Sequence, residues 1–212
     1  YPQGSLFSHI LGQIDEDNKG ISGIEKFFDY ELKSSEDPIQ LSLDTNIQYL
    51  IRDELLFSEK IFNNVGSAAI LMDINNGEIL SMLSMPDFDL NKREKITDKN
   101  YINRATKAIY ELGSVFKTFT FTAGLNENLI NVDSEFKNLE KRIRCGKNII
   151  SEYDEEIPEN ITAEEILVRS GNIGSVRIAQ KIGIEKFKSF LDKLGITEKI
   201  DFDIEEVGNP LP

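Results

Sequence analysis

The sequence predicts an α+β fold, and three observations carry that reading. Two apolar runs, residues 67–74 and 79–85, flank Asn75-Asn76-Gly77-Glu78. Asn-Gly between strand-like runs is a strong hairpin signal, because both residues tolerate positive φ. Thr162 with Glu165 makes a capping box that opens a helix. Further helical stretches follow at about 173–182 and 185–194, each ended by a glycine, Gly183 and Gly195. A hairpin early in the domain mixed with later helices gives α+β.

The elements follow in order. Residues 1–38 are rich in Gly, Asp and turn residues, and Ser34-Ser35-Glu36-Asp37-Pro38 reads as a linker. A domain boundary is placed there, dividing the chain into 1–38 and 39–212. Asp44 or Thr45 caps a helix running to about Phe62, with Ile47, Leu50, Ile51, Leu55 and Ile61 or Phe62 at helical spacing. The hairpin comes next, and Pro86 ends its second strand. Residues 87–103 are polar and read as a loop.

Residues 105–125 fit two descriptions. The centre, Val115 to Phe121, has high β propensity, yet Phe116, Phe119 and Ala123 fall on one face of a helix. Propensity leaves the choice open. Residues 131–160 are polar and read as irregular.

Composition narrows the function. Lys and Arg number 24 against 37 Asp and Glu, a formal charge of −13. Nucleic acid and anionic lipid reward clustered cations, so neither is expected as the main partner. Cys145 is the single cysteine and His9 the single histidine, which leaves no internal disulfide, no His-rich zinc site and no Ser-His-Asp triad to build. No apolar run approaches the roughly 18 residues of a membrane span. The chain starts at Tyr1 with no basic or apolar leader, and the expectation is that any targeting segment lies upstream.

Chemistry enters with serine three residues before lysine. At helical i and i+3 the two side chains share a face. A helix N-terminus favours alkoxide character on the serine. With burial, it also pushes the lysine toward the neutral form that can take the serine proton. The pattern occurs twice, at Ser114-Val115-Phe116-Lys117 and at Ser134-Glu135-Phe136-Lys137. The second copy lies in a polar, acidic stretch with no apolar segment to desolvate its lysine, and reads as chance. The first follows Gly113 and enters an apolar segment. Downstream, Ser170-Gly171-Asn172 is the single Ser-x-Asn and sits between two expected helices. It reads either as a helix cap or as polar groups pointing into a cleft.

Taken with their flanks, these motifs resemble those of class B penicillin-binding proteins. Ile109 to Lys117 is similar to the nucleophile motif of that family, and Ser170-Gly171-Asn172-Ile173-Gly174 to its second motif, with Gly171 in the middle place. Gly77 to Met82 followed by Met85-Pro86-Asp87-Phe88-Asp89 resembles the hairpin before the nucleophile helix. Asn103-Arg104-Ala105 resembles the approach to it. Tyr1 to Ser5, Leu11-Gly12 and Gly23-Ile24-Glu25-Lys26 resemble the junction between a non-catalytic pedestal and the transpeptidase domain.

The resemblance implies an incomplete penicillin-recognising serine transpeptidase fold, an antiparallel sheet with helices, preceded by a pedestal remnant. It makes 105–125 a helix. It also implies a D,D-transpeptidase, of septal (cell-division) rather than elongation type, anchored in the cytoplasmic membrane and working on its periplasmic, extracytoplasmic face. Ser114 becomes the nucleophile and Lys117 the base, Ser170 the proton relay, and Asn172 the group that orients substrate. The partners implied are peptidoglycan stem peptides, β-lactam antibiotics and other division proteins, with no cofactor or metal.

No Lys-Thr-Gly or Lys-Ser-Gly, the family's third motif, occurs in the chain. The expectation is therefore a cleft without one wall, weak activity, and a free edge on the 67–85 hairpin. A β-lactamase or β-lactam sensor, and a non-catalytic interaction module of the division machinery, stand as alternatives.

Overall fold

In the computed structural model, which describes residues 1–92 and 98–210, the chain divides into two units. The first holds Tyr1–Ile109 and residues 199–210; the second holds Tyr110–Glu198. Among the described residues, no helix is long and apolar enough to cross a membrane.

The first unit begins with three short helices, α1 (Ser8–Leu11), α2 (Gly23–Phe27) and α3 (Asp29–Ser34). The long helix α4 (Thr45–Phe62) starts where Asp44 Oδ1 accepts hydrogen bonds from the backbone of Asn46 and Ile47, at 2.8 and 2.9 Å. That bond pair satisfies two orphan donors of the first turn, as the expected cap requires. The predicted apolar stripe is only partly buried. Ile47, Ile51 and Leu55 are half-buried, while Leu50, Ile61 and Phe62 stay exposed.

What α4 buries completely is polar. Gln48 donates to the carbonyls of Leu6 (2.9 Å) and Met82 (2.8 Å), and accepts from Ser81 Oγ (2.6 Å) and Met82 N (3.1 Å). One amide thus ties the N-terminal segment, the helix and the sheet together with every capacity used.

The expected hairpin is present as β1 (Ser67–Met72) and β2 (Ile79–Met85), antiparallel from Ser67↔Met85 to Met72↔Ile79, with an irregularity at Leu71/Met72. Its connection differs from the expected Asn-Gly turn. Gly77 alone has positive φ (80°), and the loop is closed by Asp73, whose N–H donates to Glu78 O and whose carboxylate accepts from Asn75 N. The Asp73 side chain supplies the turn contact locally, so Asn76 need not go left-handed. The second half of β2 is buried; β1 is mostly exposed, with Ile70 and Met72 on its surface. The sheet has two strands among the described residues, and the outer side of β2 takes hydrogen bonds from Ser42, Asp44 and Gln48.

Within 87–103, read as loop, Asp98–Tyr101 forms the short helix α5; residues 93–97 lie outside the described residues. Asn103 is buried and accepts from Ala105 N (3.0 Å), and Ser84 Oγ accepts from Arg104 N (2.9 Å). The Asn103-Arg104-Ala105 stretch therefore fastens chain to β2. Arg52 reaches Asp87 (2.6 Å) and Ser5 (3.2 Å), joining two of the segments singled out in the sequence. His9 packs edge-on to Phe88 and bonds Asn100 O; burial holds its pKa below the usual histidine value.

In the second unit a 3₁₀ turn, Gly113–Phe116, leads into α6 (Lys117–Asn126). Helix therefore covers only the later half of 105–125. The buried face of α6 is Thr120, Phe121, Ala123 and Gly124, while Phe116 and Phe119 are half-buried and pack on each other with Phe187. The 131–160 stretch is not irregular throughout. It contains β3 (Glu135–Phe136), β4 (Arg142–Cys145) and β5 (Asn148–Ser151), and β3 pairs with β6 (Ile161–Thr162). The β4–β5 hairpin turns at Gly146 (φ 59°), the first central position, where a tight turn takes glycine. Its strands are four residues each, half of them apolar, and too short for periodicity to register.

The expected capping box appears, with Thr162 Oγ1 accepting from Glu165 N at the start of α7 (Ala163–Val168). Then come α8 (Asn172–Ile182) and α9 (Ile184–Lys193). Ile166, Ile173 and Ile178 fill the core, and a Cβ on Gly174 would lie 2.6 Å from Ile166 side-chain carbons.

Gln48→Ala strands the carbonyls of Leu6 and Met82 and the Ser81 hydroxyl in a dry interior, so we expect a loss of about 2–4 kcal/mol in urea unfolding. A loss below about 1 kcal/mol would show that the amide is not the tie described.

Candidate active site

Three chain segments of the second unit converge, and the reason lies in local conformation. The 3₁₀ turn places Ser114 on the surface, exposed, one turn ahead of α6. Lys117 opens α6 and is half-buried. Among the described residues the Lys117 amine bonds Ser170 and Asn172 rather than Ser114 Oγ.

Ser170 occupies an unusual backbone position. Helix α7 ends in a Schellman motif: Gly171 N–H donates to Ile166 O (2.8 Å) and Ser170 N–H to Leu167 O (3.0 Å). Ser170 fills the left-handed position of that motif with φ 53°, where glycine is favoured. A left-handed non-glycine residue costs roughly 1 kcal/mol. The motif turns the chain within two residues, so that Gly171 caps α8 and Asn172 begins it.

Lys117 Nζ meets this turn. It donates to Ser170 O (2.5 Å), Ser170 Oγ (3.0 Å) and Asn172 Oδ1 (2.6 Å). Asn172 Nδ2 donates to Ser151 O (2.9 Å) at the end of β5, which fixes the amide's orientation and turns its oxygen to the lysine. Burial lowers the Lys117 pKa below the usual lysine value, opposed by the negative charge of Glu152, which raises it.

Of the residues predicted, Lys117, Ser170 and Asn172 are thus brought into direct contact, and Ser114 lies one turn away on the same segment. The other Ser-x-x-Lys resolves differently. Ser134 Oγ caps a turn at Asn131, and Lys137 is an exposed partner of Glu135 at 2.7 Å. That pairing raises the Lys137 pKa, the reverse of what a base needs. Glu152, next to the site, was not singled out in the sequence. It is one acid among 37, in a stretch read as irregular, and nothing in its spacing marks it. Among the described residues no group of three or more His, Cys, Asp or Glu is arranged to hold a metal.

Comparison with known proteins bears on this arrangement. Residues 67–212 match the family described as penicillin binding protein transpeptidase domain. The probable peptidoglycan D,D-transpeptidase FtsI of Caulobacter vibrioides is 31% identical over 215 residues, covering 100% of this chain and 36% of the relative. Stage V sporulation protein D of Bacillus subtilis is 28% identical, covering 98% and 36%. The chain therefore spans little more than a third of these relatives' length. Among solved structures, the D,D-transpeptidase domain of a peptidoglycan glycosyltransferase from Eggerthella lenta superposes with a TM-score of 0.84 at 25% identity, over 100% of this chain and 51% of that one. Penicillin binding protein 3 from Mycobacterium tuberculosis complexed with ampicillin has the same fold, with a TM-score of 0.87 at 24% identity over 98% and 48%.

The left-handed backbone at Ser170 makes a thermodynamic prediction. Ser170→Gly and Ser170→Ala both delete the hydroxyl, but glycine relaxes the backbone. The glycine variant should unfold at higher denaturant, by about 1 kcal/mol, the reverse of the order at an ordinary site. Equal stability, or alanine above glycine, would remove the strain from the account.

Proposed function

The chain belongs to the penicillin-binding protein transpeptidase family, and from that premise we propose that it carries the nucleophile half of a serine D,D-transpeptidase site. The observation that carries the reading is the Lys117 amine held on Ser170 and Asn172 at the head of the helix that Ser114 precedes.

Ser114 Oγ attacks the carbonyl of the penultimate D-alanine of a peptidoglycan stem peptide while neutral Lys117 takes its proton. The amide C–N bond breaks, Ser170 relays a proton to the departing D-alanine nitrogen, and an ester to Ser114 remains. The amine of a second stem peptide attacks that ester, and the released serine oxygen regains a proton. Asn172, fixed through Ser151, orients the bound peptide. A β-lactam enters the first step by opening its own ring, and its acyl group stays on Ser114. Half-burial of Lys117 supports the base role, since desolvation favours the neutral amine. These roles follow the resemblance of the motifs residue by residue.

We extend the reading to the whole protein. Residues 1–38 end a pedestal, 39–212 begin the transpeptidase domain, and the protein is membrane-anchored and works with other division proteins in the periplasm. The relatives named FtsI support the division role. The chain itself has no Lys-Thr-Gly or Lys-Ser-Gly. Loss of one oxyanion donor alone costs about 10²–10³ in rate, so acylation by this polypeptide should be slow.

Intact-mass spectrometry after long incubation with benzylpenicillin tests the proposal. A slow penicilloyl adduct is expected on the wild-type chain and none on Ser114→Ala. An adduct of equal yield on Ser114→Ala would rule out Ser114. Labelling complete within seconds would refute the need for the third motif. No adduct here or on a longer version containing that motif would favour the non-catalytic interaction module.

The same assay followed against pH checks Lys117. Its pKa lies below the usual lysine value and its neutral form is the reactive one, so labelling should rise with pH and reach its plateau at lower pH than a solvated lysine allows. A flat profile would exclude Lys117 as base.

A further inference from the structure

We propose that Glu152 is the positioning residue of this site, its carboxylate clamping the first turn of α8 so that Ser170 and Asn172 are held on the Lys117 amine. The assignment deepens the transpeptidase reading and rests on it for its chemical purpose.

The clamp is bidentate. Glu152 Oε2 accepts from Asn172 N (2.6 Å) and Oε1 from Ile173 N (2.8 Å). Helix α8 needs such a partner, because its N-cap is Gly171, which has no side chain to offer its free N–H groups. The cap is supplied instead from the end of β5, across the unit, by a charged group suited to the positive end of a helix dipole. The preceding residue completes the grip, since Ser151 O accepts from Asn172 Nδ2.

Asn172 is thus held at its backbone by Glu152 and at its amide nitrogen by Ser151, which leaves its Oδ1 no direction but Lys117 Nζ. Ser170, two residues earlier in a tight turn, moves with it. Glu152 is also the charged neighbour that acts on Lys117; the other groups on the amine, Ser170 and Asn172, are neutral. One carboxylate therefore sets where the amine's partners stand and opposes the loss of its proton. A plain helix cap would do only the first.

The two functions separate in one experiment on this chain. Lysines are labelled with ¹³C, the Lys117 Cε signal is identified by its loss in Lys117→Arg and titrated, and backbone exchange at residues 172 and 173 is followed. Glu152→Gln removes the charge that favours the ammonium, so Lys117 should titrate at lower pH than in the wild type. The amides of Asn172 and Ile173 should exchange about tenfold faster or more, as expected for losing a charge-assisted bond. Glu155→Gln removes an exposed acid from the same segment and should change neither readout. Should Glu152→Gln fail to fold, Glu152→Asp keeps the charge but draws it back, and faster exchange confined to residues 172 and 173 is the expected result.

An unchanged Lys117 titration in Glu152→Gln reduces Glu152 to a cap and overturns the proposal. So does an equal shift from Glu155→Gln, or unchanged exchange in Glu152→Asp. None of these readouts requires acylation, so failure of Ser114 labelling would leave the positioning result standing, and the reverse.

Discussion

The Lys117 amine is the point on which the second unit turns. An ammonium has three donors, and here they meet Ser170 O, Ser170 Oγ and Asn172 Oδ1. To present those acceptors, α7 must end in a left-handed residue, α8 must begin within two residues of it, and α6 must face that turn with its first residue. The packing enforces this. Gly174 lets Ile166 lie against α8 where any larger residue would collide, and Thr120, Phe121, Ala123 and Gly124 fix the rotation of α6. The three acceptors favour the charged amine, whereas burial favours the neutral one. The amine is held between these opposed pulls.

The same logic explains where conformational strain is kept. Serine at the left-handed end of a helix is a poor choice for stability, and glycine in that place would suit the backbone better. Yet glycine would bring no hydroxyl to Lys117. Strain of this size persists where the surrounding structure over-determines it, and here the Schellman bonds of Ser170 and Gly171 do so. The contrast with Ser134 and Lys137 is instructive. The spacing is identical, but Ser134 caps a turn and Lys137 pairs with Glu135 in solvent, so neither is prepared for chemistry.

Much of the fold was legible because its signals are local. The Asp44 cap, the Thr162–Glu165 box, the stops at Gly183 and Gly195 and the strand end at Pro86 each depend on a few adjacent residues. Elements set by distant partners were not legible. The β4–β5 hairpin is short, turned by a glycine and packed on the core through Ile143, Cys145 and Ile150, and no period reveals it. The apolar residues on α4 suggested a buried stripe, but the helix packs instead around Gln48, whose four hydrogen bonds come from chain far away in sequence.

By itself, the sequence determined the residue types and their spacing: Ser114 before Lys117, Ser170 before Asn172, and the helix signals around them. It also determined the family, because motif, hairpin and flanks fall in one order along the chain. The surroundings of the two Ser-x-x-Lys copies already separated them in the sequence, but only the tertiary structure decided which acceptors Lys117 meets. It alone brought β5 to the head of α8, setting Ser151 and Glu152 on Asn172. The physical reason is that desolvation and charge act through space. Both depend on which atoms surround a group, and those neighbours come from segments that no local pattern connects.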